Sequence, residues 1–129
     1  MAVGDVTIIP SGGLNIAGKV TCVCGTTTTM YVGTDKGEVK SITTSGVMAD
    51  LATKVKVPGK IVAIAYSGSI VIITADGKVY TVATNGASLT MIVNLNMGVA
   101  GAYYYSNYLY VILDGSQQEK SNVLKIALT

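Results

Sequence analysis

The chain has 129 residues and a formal net charge of +2; half of its residues are hydrophobic, 12% are charged, and all nine basic residues are lysine. Without histidine there is no imidazole base or imidazole metal ligand. Without arginine there is no planar fork for phosphate, carboxylate or guanine, and lysines scattered singly do not make the footprint of a nucleic-acid binder. No cofactor, metal or nucleic acid is expected.

A length of 129 residues fits one domain spanning 1–129. Its abundance of Val, Ile, Thr and Tyr, with 8 tyrosines and neither Phe nor Trp, marks an all-β chain. The opening MAVGDVTIIPSGG has neither the basic start nor the long apolar run of a secretory signal, and no apolar run approaches the length of a membrane helix. A soluble protein made and assembled in a cytoplasm, with no membrane partner, is the expectation. Cys22 and Cys24 alternate on a predicted strand and so share one face, too far apart for an easy disulfide, and are expected as reduced thiols.

Two segments match at an offset of about 40 residues, a period typical of repeat architectures. Gly37 falls on Gly77, Val39 on Val79, Ile42 on Val82 and Gly46 on Gly86. In the second copy KIVAIAYS, SIVIIT, KVYTVAT and LTMIVNLNM read as four strands, and Asp76-Gly77 and Asn85-Gly86 supply the positive φ of antiparallel hairpins. The segment SGVMADLATKVKV also fits a helix, with Val47, Leu51 and Val55 at i+4 and Asp50 four before Lys54. Strand is favoured there because its counterpart is rich in strand formers.

A third copy runs from GAYYYSNYLYVILDG to SNVLKIALT, with Tyr105, Ser106 and Leu109 aligned on Tyr66, Ser67 and Ile70, and Val123 and Ile126 on Val79 and Val82. Repeats therefore span roughly 18–57, 58–97 and 98–129. The third lacks a fourth strand, and the orphan LNIAGKV near the N-terminus matches the fourth strands of the other two: Leu14 aligns with Val55 and Leu95, Ile16 with Val57 and Met97. The N-terminal strand 14–16 is expected to complete the third repeat.

Four-stranded meanders such as YVGTDKGEVKSI and ITADGKVYTV, repeated about every 40 residues, resemble the blades of the β-propeller superfamily over nearly the whole chain from residue 14. The Trp-Asp and Gly-His signatures of WD40 blades, the di-glycine of kelch repeats and the Trp of quinoprotein repeats are absent, so no family function carries over residue by residue. Propellers close with 4 to 8 blades. The resemblance therefore implies half of a six-bladed ring and a homo-oligomer, most simply a dimer. A β-trefoil or β-prism is the competing architecture, since it too builds three four-stranded units.

The acidic residues Asp5, Asp35, Glu38, Asp50, Asp76, Asp114 and Glu119 fall mostly in turns, where carboxylates bond local amides, so no paired carboxylates for hydrolysis are predicted. The densest aromatic patch is Tyr103, Tyr104, Tyr105, Tyr108 and Tyr110, a composition suited to wet protein interfaces. With Leu14 and Ile16 these tyrosines are the candidate interface. The insertion Ser116, Gln117, Gln118, Glu119 and Lys120 is a candidate partner loop. The expected function is a non-enzymatic structural or assembly protein, in style a virion component of a tailed bacteriophage, such as a capsid decoration or tail and neck protein, made in the host cytoplasm and contacting other virion or scaffold proteins. The alternative is a glycan-binding propeller lectin.

Overall fold

The computed structural model of the chain describes residues 2–8, 18–26, 28–115 and 123–128. All regular structure among them is β, in eleven strands and three antiparallel sheets. The first sheet orders β1 (Val20–Gly25), β2 (Met30–Thr34), β3 (Glu38–Ile42) and β4 (Met48–Lys56) as a meander. The second repeats it with β5 (Ile61–Tyr66), β6 (Ile70–Thr74), β7 (Lys78–Val82) and β8 (Thr90–Asn94). The third holds β9 (Val99–Tyr105), β10 (Tyr108–Leu113) and β11 (Val123–Ala127), with β10 central. Strand 14–16 lies outside the described residues.

The hairpins show how the turn residues act. Gly37, Gly77 and Gly86 carry φ of +82°, +93° and +89°, whereas Asp76 and Asn85 before them do not have positive φ. Each glycine N–H returns to a carbonyl three residues back, Thr34, Thr74 or Ala83. These are three-residue loops closed by a left-handed glycine, not the two-residue turns in which both central residues are left-handed. The latter occurs at Ser106 and Asn107, with φ of +51° and +69° between the paired Tyr105 and Tyr108. Under two of the glycine turns a buried threonine satisfies the backbone: Thr34 Oγ1 accepts from Glu38 N at 3.1 Å and Thr74 Oγ1 from Lys78 N at 3.2 Å.

Each first strand carries a bulge after its opening residue, Val20, Ile61 or Val99. These strands lie side by side, β5 packing on β1 and β9 on β5, so the sheets stack face to face as blades. One core lies between the first two blades and gathers Tyr31, Val39, Val55 and Val57 against Ile61, Ile64, Ile70 and Ile72. A second gathers Ala63, Ala65, Val71, Ile73 and Val79 against Val99, Leu109, Val111 and Leu113. Both faces of the middle blade are therefore covered, which is why β6 reads IVIIT without alternation and is buried throughout.

The observed register agrees with the repeat alignment at the third strands and at Leu109, which takes the place of Ile70, and departs from it in the fourth strands and in β9. Val39, Val79 and Val123 occupy one position, opposite Gly33, Ile73 and Ile112; Ile42, Val82 and Ile126 occupy another. In the fourth strands Val55 pairs with Val39 and Val93 with Val79, so Val55 corresponds to Val93 rather than Leu95. Val57 corresponds to Leu95, each donating to the turn glycine carbonyl, Gly37 or Gly77, at 2.8 Å. The slip comes from the bulge in β4, where Val39 faces Val55 while Lys40 already faces Asp50; the matching bulge in β8 holds only Ile92. In β9 the register puts Tyr104, not Tyr105, at the position of Tyr66.

Within residues 47–57, Met48–Lys56 form strand and not helix, and the helical charge pair is replaced by cross-strand ones. Asp50 binds Lys40 at 2.6 Å, while Lys54 approaches Glu38 at 3.8 Å.

Candidate functional site

Alternation across the third blade divides the five tyrosines between two faces. Tyr104 pairs with Leu109, turns toward the middle blade and packs on the second core, its hydroxyl donating to Asn107 Oδ1 at 3.2 Å. Tyr103, Tyr105, Tyr108 and Tyr110 point the other way, in cross-strand pairs Tyr103 with Tyr110 and Tyr105 with Tyr108. Ile112 and Val123 extend this outer face, and Lys125 lies across it with Nζ 4.1 Å from the Tyr108 ring centre and 5.9 Å from that of Tyr110. Most of its large side chains are exposed. The other predicted contact residues, Leu14 and Ile16, and the loop Ser116 to Lys120, lie outside the described residues.

A second feature is a groove of about 340 Å³ at the far ends of the three first strands. Its lining is Val23, Cys24 and Gly25 from β1, Ile64, Ala65 and Tyr66 from β5, and Ala102, Tyr103 and Tyr104 from β9. These are the same three register positions taken once from each repeat. Sequence reasoning missed this groove, although aligning the ends of the first strands would have brought the nine residues together.

The groove's chemistry is neutral. Burial, with a smaller push from Cys22, raises the Cys24 thiol to about 11, and burial outweighs two hydrogen bonds in raising Cys22. Both thiols are free and both stay protonated at neutral pH, the opposite of an activated nucleophile. Tyr31 is raised as well, by burial and then by Tyr66, whose ring stacks on it at 6.4 Å and 16°. Such a lining offers thiol, phenol and apolar contacts.

Acidic side chains are spent locally. Asp35 Oδ1 accepts from Lys19 N at 2.8 Å, and Asp76 is held below the ordinary carboxylate value by the Thr74 hydroxyl and then by Lys78. Asp50 is lowered by its hydrogen bond to Lys40. Among the described residues no group of three or more His, Cys, Asp or Glu could hold a metal ion, and no helix is long and apolar enough to cross a membrane.

No family model and no curated protein matches the sequence. Solved structures do match the fold. The chain is similar to the computationally designed Ika8 protein, with a TM-score of 0.64 at 12% identity over 84% of this chain and 33% of that one. It is similar to BBS1N, solved in complex with ARL6DN, at 0.63 and 17% over 90% of this chain and 39% of that one. Sqt1 from Saccharomyces cerevisiae matches at 0.55 and 15% over 84% and 28%. The chain thus spans about a third of the length of these structures. Neighbours of this kind establish the class, an all-β, β-propeller-like stack of three meander sheets.

Proposed function

We propose that the protein is a non-enzymatic structural and assembly protein that acts by presenting blade faces to protein partners. The observation that carries this reading is the outer face of the third blade, where Tyr103, Tyr105, Tyr108, Ile112 and Val123 stand exposed together on one side of the sheet. A contiguous aromatic and apolar face of this kind is characteristic of surfaces that become covered. The first partner is a second copy: two chains supply six blades, within the range in which propellers close.

Light scattering on the purified full chain tests the reading. A dimer mass is expected, and a stable monomer at high concentration would contradict self-assembly. In its narrowest form the protein is a tailed-phage virion component, a proposal that stands on the style of the sequence; neighbouring genes for portal, capsid and tail proteins are the expected finding. A lectin is the second reading, favoured by the uncharged, tyrosine-lined groove. Clear hits on a glycan array would support it over the structural one.

A further inference from the structure

The two end blades expose the positions that the inner faces bury. Val20 and Ile61 open the first strands of their blades in equivalent register, as Val23 and Ile64 are equivalent further along. In the middle blade, covered by the first, Ile61 is 0% and Ile64 8% exposed; in the first blade Val20 is 39% and Val23 58% exposed. The opposite end behaves in the same way. Ile73 and Val79 of the middle blade are both 0% exposed against the third blade, whereas their equivalents Ile112 and Val123 are 40% and 45% exposed.

The residue types continue the pattern. At the interface of blades one and two, Gly33 leaves the space that Ile61 fills, a Cβ there falling 2.6 Å from Ile61 Cγ2. At the next interface the same two positions hold Ile73 and Val99, both in the second core. Large and small have changed sides. A third interface of this kind would bring together Ile112 of one copy and Val20 of another, again isoleucine with valine.

We infer that the outer face of the third blade docks on the reverse face of the first blade of a second copy, around Val20 and Val23, in a head-to-tail contact. This rests on the self-assembly reading above and specifies its geometry: the partner surface is a different patch, not the same tyrosine face turned on itself. The contact continues a stacking made twice within the chain. In a two-copy ring it is made twice, once by each front face.

Substituted full-length chains test this by mass in solution. Val23→Glu and Ile112→Lys change side chains already exposed, and each alone is expected to halve the dimer mass while leaving cooperative melting. Mixed in equal amounts, the two variants are expected to recover the dimer, because one native contact remains and the other sets Glu against Lys. If Val23→Glu does not melt cooperatively, Val20→Glu takes its place. A Val23→Glu chain that stays dimeric while Ile112→Lys becomes monomeric overturns the head-to-tail geometry and leaves self-assembly standing, as does a mixture in which only Val23→Glu chains pair. A monomeric unsubstituted chain removes self-association and this inference with it.

Discussion

At the scale of single residues, packing volume and thiol burial carry the most consequence. Gly33 has no special backbone angle; it is small because Ile61 and Cys22 occupy the space where a Cβ would sit, at 2.6 and 2.9 Å. Gly33→Ala is expected to lose about 1–3 kcal/mol in urea unfolding, the usual cost of overpacking. In an Ile61→Ala background, which removes the Cγ2 that the new methyl would meet, Gly33→Ala should cost less, since neighbours that share a space do not add independently. Cys24 makes a different prediction. Its thiol is raised from 9.0 to about 11 in the folded chain, so the unfolded chain releases that proton first. The contribution is fully present below pH 9 and is lost as pH rises through about 11. Denaturant midpoints should therefore fall over that window in the parent and less in Cys24→Ala, and alkylation of Cys24 at pH 8 should be slower in the folded chain than in the unfolded one.

At the scale of elements, β4 does more than close the first meander. Its bulged segment reaches the next blade, where Thr53 N donates to Asn85 O at 2.6 Å and Gly86, at φ +89°, lies against the Thr53 carbonyl. Gly86→Ala meets an unfavourable backbone angle and that carbonyl together. It is expected to destabilise by more than about 1 kcal/mol and to raise amide exchange at Thr53. This strap also explains what the sequence made legible and what it did not. Third-strand register could be read because turn glycines at 37 and 77 lie two residues before Val39 and Val79, and a strand's period leaves no freedom after that. Fourth-strand register differs by two at Val55 because the bulge in β4 holds four residues and that in β8 one, so the spacing between the copies changes within the strand and a constant offset sets Val55 against Leu95. The charge spacing from Asp50 to Lys54 looked helical, yet both lysine partners lie across the sheet, a separation that local spacing does not encode. Tyr104 was grouped with its neighbours because density of one residue type does not distinguish the two faces of a strand.

At the scale of the molecule, three blades joined by two cores make stability unequal along the chain. The middle blade takes part in both cores, the outer two in one each. Stacked repeats gain stability from each neighbour, so β5, β6 and β7 should carry the slowest-exchanging amides and β8 and β11 faster ones. The end blades provide the sharper measurement. If a second copy covers Ile112 and Val123, association stabilises the third blade by mass action, and its protection must depend on protein concentration. Exchange in β9 and β10 is therefore expected to slow as concentration rises through the dimerisation range, as should exchange in β1, whose Val20 and Val23 form the opposite surface. Amides of β6 should respond least, because both faces of that strand are already covered within one chain. Equal slowing in β9 and β10 with no change in β1 would assign the contact to the tyrosine face alone, since head-to-tail docking cannot protect one end without the other.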